Sequence, residues 1–263
     1  MHSRTNATQL LTVLATLSTL VVTASAWGQD PPKKNKQSKL VTKALKKVDR
    51  QLLSYSPEKA RTFLEPVMEE KDPRVNAALG QILILEKDYQ GASEKLKAAS
   101  KKSDDPLILV ALGDAQAYAK NKGQAQSSYQ KAAKEAEALL AKDPTNTKAR
   151  LALGVSQQRL KRYDEAISNL TRAKSGNPSN PRISFELGMT KLLQGDNQAA
   201  FDHLSSAIEL YSGYAYAYYY RGLAADKVGR KDITANDMDR FLILAPDAPE
   251  ATKASRILAA VRP

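Results

Sequence analysis

Small residues recur through this chain at intervals of 33, 41, 34 and 34, and each opens the same apolar pattern. From Gly154, the residues 12, 16, 19 and 24 positions on are Ala166, Leu170, Ala173 and Pro178. The same offsets from Gly188 reach Ala200, Leu204, Ala207 and Ser212, and from Gly222 they reach Thr234, Met238, Phe241 and Pro246. Gly113 leads to Ala125, Tyr129 and Ala132, and Gly80 to Ala92, Leu96 and Ala99. A degenerate first copy has Val48 in the glycine slot, followed by Ala60, Leu64 and Val67. A period in the range of roughly 20–50 residues marks stacked copies of one supersecondary unit.

Each copy reads as two helices. Ala and Leu are abundant, β-branched runs are rare, and the 263 residues include only 12 Gly and 12 Pro, so helix is favoured and loops are short. Leu151, Val155 and Gln158 fall on one side of a helix, with Leu153 and Leu160 on another. The Gly and Ala slots let two helices approach closely. One such pair cannot bury its apolar face alone, so stacking is required. The fold class expected is all-α, a superhelical solenoid of about six helix-turn-helix repeats.

This pattern resembles the tetratricopeptide repeat (TPR) family, whose unit is 34 residues long. The family has a small residue at position 8, Ala at 20, a large apolar residue at 24, Ala at 27 and Pro at 32. The fourth unit fits best, with Leu153-Gly154, Tyr163-Asp164-Glu165-Ala166-Ile167, Leu170, Ala173 and Pro178. The resemblance covers residues 41–248, in units 41–72, 73–105, 106–146, 147–180, 181–214 and 215–248. It implies a right-handed superhelix with a concave face, and it says nothing of the partner. The third unit carries seven extra residues around Glu135–Lys142. Seven residues are two helical turns, so a longer second helix is expected there. Residues 249–263 should form a capping helix, with Pro249 in its first turn and Ile257, Leu258 and Val261 along one edge.

Residues 1–26 read as a signal peptide. Arg4 precedes the uncharged apolar run Leu10–Val22, and Ala24-Ser25-Ala26 is a small-x-small cleavage site. The run is shorter than the roughly 20 residues a membrane span needs, so cleavage before Trp27 is expected and stable membrane insertion afterwards is not. The periplasm is the expected location, with secretion or a signal anchor as alternatives. Residues 27–40 are expected to be a basic, solvated linker. From Trp27 to Arg50 there are eight basic and two acidic residues, and from Gln51 onward 31 basic and 26 acidic. The formal charge of +12 is thus concentrated near the N-terminus. Lys43, Lys46, Lys47 and Arg50 recur opposite Leu45, Val48 and Leu52, which reads as a solvated helix face or an anionic-surface contact. Nucleic acid is not an expected partner, because no aromatic residues interleave that stretch for base stacking.

The chain contains no cysteine, which excludes disulfides, thiolate chemistry and a lipid-anchored lipoprotein. No phosphate-binding, zinc-protease or nucleophile-elbow motif occurs. His203 has no Ser, Cys or second His to work with, and acidic pairs such as Asp164-Glu165 suit helix starts. Catalytic residues, metals and cofactors are therefore not expected.

Tyrosine is the exception to this blandness. Six of 11 lie between Tyr211 and Tyr220. The resemblance places Leu151, Val155, Phe185, Met189, Tyr216, Tyr219, Tyr220 and Leu223 on groove-lining positions of units four to six. Tyr216, Tyr219, Tyr220 and Leu223 share one helical face. Two readings stay open for the tyrosines, an aromatic wall facing a partner or packing inside the solenoid. Tyr218 is expected to pack inside. The pairs at positions 5 and 9, such as Val110/Asp114 and Phe185/Met189, lack the Lys and Asn that clamp a C-terminal carboxylate in some TPRs. The function expected is a non-catalytic scaffold of the cell envelope that binds a peptide or helix of a protein partner in an apolar groove. The alternative is a subunit or adaptor of an envelope assembly or secretion machine that uses convex or end surfaces. The sequence leaves the oligomeric state open.

Overall fold

The computed structural model describes residues 36–69 and 71–262. The signal-peptide reading lies outside them. The described residues form thirteen α-helices in chain order: α1 (Lys36–Leu53), α2 (Pro57–Leu64), α3 (Pro73–Leu85), α4 (Tyr89–Ser100), α5 (Pro106–Tyr118), α6 (Lys122–Lys142), α7 (Thr147–Arg159), α8 (Tyr163–Gly176), α9 (Pro181–Gln194), α10 (Asn197–Leu210), α11 (Ala215–Lys227), α12 (Lys231–Leu244) and α13 (Ala251–Val261). A short 3-10 turn, Glu65–Val67, follows α2, and no strand occurs among the described residues.

Local chemistry sets the start of the first helix in most units. Asp72, Asp105 and Asn180 each precede a proline, and their side chains accept from the backbone N–H of Arg74 (2.9 Å), Leu107 (3.1 Å) and Arg182 (3.0 Å). Proline in the first turn has no N–H to leave unpaired, and the Asp or Asn oxygen satisfies one that is. Asn146 does the same for α7 through Ala149.

The turn inside each unit has its own repeating element. One residue there adopts a left-handed backbone: Tyr55, Lys87, Lys120, Lys161, Gly195 and Gly229. Each stands fourteen residues after the start of its unit. Only the last two are glycine, the residue that takes this conformation without steric cost.

The glycine slots show why the register exists. A Cβ on Gly80 would lie 2.6 Å from Leu96 Cγ, on Gly113 2.4 Å from Tyr129, on Gly188 2.6 Å from Leu204 Cγ and on Gly222 2.6 Å from Met238 Cε. In every case the neighbour is the large residue sixteen positions on. The offset read in the sequence is the contact between the two helices of a pair.

The third unit's extra seven residues lengthen α6 to 21 residues, against 12 to 14 for α4, α8, α10 and α12. Two expectations need correction. The linker expected over residues 27–40 is helical from Lys36. Buried Val41, Leu45 and Val48 anchor α1, and the Lys-Gln-Ser-Lys-Leu run before them extends it as ordinary helix formers do. Pro249 lies in the turn before α13 and not in its first turn, and Glu250 is the N-cap. Ile257, Leu258 and Val261 are half-buried on α13, whose one fully buried residue is Ala254.

Among the described residues, 36–52 and 56–161 form one compact unit, and 53–55 with 162–262 form the other. The core of the N-terminal unit includes Leu45, Leu64, Ile82, Leu96, Leu107 and Ile108. That of the C-terminal unit includes Leu204, Met238, Phe241 and an aromatic cluster.

Candidate partner-binding site

In the C-terminal unit, α9 and α11 carry the aromatic positions. Arg182, Phe185, Glu186 and Met189 share one face of α9, and Tyr216, Tyr219, Tyr220 and Leu223 share one face of α11. The Phe185 ring stacks on Tyr214 with centroids 4.6 Å apart and meets Tyr220 edge-on at 6.0 Å. Tyr219 meets Tyr220 edge-on at 5.1 Å and leans on Phe241 at 4.9 Å. Such pairings add to the burial of the rings themselves.

These residues are buried and not solvent-facing. Phe185, Met189, Tyr219 and Tyr220 are at most 1% exposed and Tyr216 is 4% exposed, while Leu223 is half-buried. Tyr218 reverses the expectation in the other direction. It is half-buried, its hydroxyl donates to the Ser212 carbonyl at 3.1 Å, and the guanidinium groups of Arg221 and Arg240 lie 5.7 and 6.0 Å from its ring. Arginine on an aromatic face is favourable and keeps the ring near the surface.

Tyr216 is the hub of the cluster. Its hydroxyl donates to Glu250 Oε2 at 2.5 Å, which ties α11 to the start of α13. Burial pushes the Tyr219 phenol well above its usual range, and the Glu250 carboxylate adds to the effect. On another side the Tyr55 ring meets Tyr216 edge-on at 5.8 Å. Tyr55 is 7% exposed and has φ +53°. Beside it, Ser54 Oγ and Tyr211 Oη lie 3.0 Å apart, where Gly213 leaves room: a Cβ there would fall 3.1 Å from Ser54 Oγ. Ser54 and Tyr55 are therefore held against Tyr211 and Tyr216. The sequence reading missed Tyr55 and Glu250. The only signal was a tyrosine at the turn position that other repeats fill with Lys or Gly.

Arg221 binds Asp237 through two hydrogen bonds of 2.9 and 2.7 Å, linking α11 to α12. Burial raises the Asp237 carboxyl even so. His203 on α10 is half-buried, and burial lowers its pKa, helped by Lys174 and Lys191.

In the N-terminal unit, Leu151 (2% exposed) and Val155 (0%) are core residues of α7. Two groove positions there hold charge. Asp114 accepts from the Tyr129 hydroxyl at 2.7 Å and from Arg159 Nε at 3.3 Å. Burial and that carboxylate push the Tyr129 phenol well upward. A cleft of about 910 Å³ runs along the starts of α3, α5 and α7, where Lys148 pairs with buried Asp105 at 2.8 Å. The helix ends in that cleft are already capped by Asp72, Asp105 and Asn146. Among the described residues no group of three or more His, Cys, Asp or Glu is placed to hold a metal ion.

Comparison with known proteins agrees with this geometry. Two tetratricopeptide repeat family models match, over residues 123–185 and 156–215. No curated protein matches in sequence. A thermophilic TPR protein of Thermus thermophilus, TTC0263, is 20% identical with a TM-score of 0.56, over 71% of this chain and 99% of its own. The Cut9–Hcn1 hetero-tetramer of the APC/C gives a TM-score of 0.58 at 18% identity, over 84% of this chain and 42% of that one. At such identities these structures speak for the fold alone. With helix pairs in one register and a glycine against the large residue sixteen positions on, the chain has the fold of a tetratricopeptide repeat solenoid, and residues 123–215 match the family's own models.

Proposed function

We propose that this protein is a non-catalytic scaffold of the cell envelope and that it binds an apolar segment of a protein partner at the aromatic cluster of α9 and α11. TPR folds typically serve as protein-interaction modules and not as enzymes, and stacked helix pairs offer extended faces for binding. The observation that carries the proposal is Tyr55. Tyr55 takes the left-handed turn position found in every repeat, but it alone fills it with an aromatic ring, and that ring meets Tyr216 edge-on. Tyr55 thus stands in for a ligand side chain. A partner's aromatic or large aliphatic residue takes its place, the turn at residues 53–55 moves aside, and Leu223 at the edge of the cluster contacts the incoming segment. The envelope location rests on the signal-peptide pattern of residues 1–26.

The test is in-cell crosslinking from a photoreactive residue at position 223. A discrete protein partner is expected, and Leu223→Glu should weaken its binding by about tenfold or more, the scale of a hot-spot loss. Failure to capture any protein from this position would overturn the proposal. A second reading, an adaptor that uses outer surfaces, is favoured by Ile243, which is 69% exposed on α12. Capture from position 243 and not from 223 would select it.

A further inference from the structure

An exposed cationic surface lies in the N-terminal unit and owes nothing to the aromatic cluster. Helix α1 runs 18 residues, and Val41, Leu45, Val48 and Leu52 bury one side of it. Lys39, Lys43, Lys46 and Arg50 are exposed on the other. At about 100° per residue these four fall within about 60° of arc, in a row about 16 Å long. Asp49, the one acidic residue of the helix, is buried, with 7% exposure. Lys39, Lys43 and Lys46 make no ion pair with a described residue. Lys47 borders the row with its Nζ 4.9 Å from the Phe63 ring centre. Leu40 borders the row too and is 47% exposed.

We infer that this row docks the protein on an acidic phospholipid surface. Charge complementarity calls for an anionic partner, and two features choose among anions. No aromatic residue stands in the row to stack on single-stranded bases. The cations are mainly lysine, a flexible point charge suited to a fluid sheet of phosphates, whereas carboxylates on a protein are better matched by arginine's fork. Exposed Leu40 can enter the acyl boundary while neighbouring lysines reach back to the headgroups, as interfacial helices do.

The test is co-sedimentation of the full chain with two kinds of vesicle, phosphatidylcholine alone and phosphatidylcholine with 30% phosphatidylglycerol. A K39Q/K43Q/K46Q/R50Q variant is run in parallel, with circular dichroism to show that it is folded. Because each lysine or arginine near an acidic surface contributes about five-fold in partition, the variant should bind acidic vesicles roughly a hundredfold or more less well. Natural-chain binding should fall steeply between low and physiological salt. Any apolar insertion by residues 10–22 would appear equally on neutral vesicles and in the variant, so the difference between the two vesicles isolates the row. Equal binding to both vesicles, or undiminished binding by the folded variant, overturns the inference. Tighter binding to duplex DNA or to a polyglutamate peptide than to acidic vesicles at the same salt overturns it as well.

Discussion

Gly188 shows at the scale of one residue what the whole register encodes. Leu204 occupies the space that any side chain at position 188 would need. Gly188→Leu should destabilise the protein by about 1–3 kcal/mol through overpacking, measured by urea denaturation. Gly123 is the control. It lies in α6 with nothing within 4 Å of its would-be Cβ, so Gly123→Ala should be neutral or stabilise by about 0.5 kcal/mol. Equal effects of the two changes would count against the contact reading of the register. His203 gives a pH signature. Its folded-state pKa is lowered, so the folded protein binds that proton less well than the unfolded chain does. Its contribution is present above the ordinary value of 6.5 and is lost as pH falls through the folded-state value. Thermal stability should therefore decline as pH drops below about 6.5, and His203→Gln should flatten that part of the profile. Residue-scale legibility was uneven. The glycine and its partner sixteen positions on share a local pair of helices, so their spacing is visible in the sequence. Whether Tyr218 or Tyr219 lies inside depends on Arg221, Arg240, Phe241 and Glu250, which come from three different elements. Helical periodicity cannot supply that.

At the scale of elements, the turns carry a cost that three repeats have not removed. Lys87, Lys120 and Lys161 sit in left-handed backbone that glycine takes freely. Lys120→Gly should stabilise the protein by about 0.5–1 kcal/mol, the relief of a left-handed residue less the extra freedom glycine gains in the unfolded chain. A loss of stability would mean that the Lys120 side chain does something its geometry does not show. The pairing of α11 with α12 rests partly on Arg221 and Asp237. Arg221→Leu should cost about 3–5 kcal/mol, because it leaves a carboxylate that is only 3% exposed without its partner. Restoring neutrality with Asp237→Asn in the same chain should recover part of that loss in a double-mutant cycle. Unit boundaries were legible through the glycine and alanine register, and Asp72-Pro73, Asp105-Pro106 and Asn180-Pro181 are the local signals that start the helices there. The early start of α1 was not, since a lysine-rich stretch reads equally as linker or as exposed helix until the core beneath it is known.

For the whole molecule, the repeat fold carries a buried aromatic cluster in the C-terminal unit and an exposed cationic row in the N-terminal one. The repeat was legible throughout, but the contact on which the proposed function rests was not. Tyr55 and Tyr216 are far apart in sequence, and nothing local to either residue marks their meeting. The central claim is that Tyr55 occupies a place meant for a partner. It is tested by titrating the segment captured from position 223 against the natural chain and against Tyr55→Ala, with melting temperatures measured alongside. Emptying the place should lower the melting temperature and at the same time tighten binding several-fold, because the partner no longer competes with the chain's own ring. A Tyr55→Ala chain that melts lower but binds the segment no better, or more weakly, would contradict the account and leave Tyr55 as an ordinary part of the core.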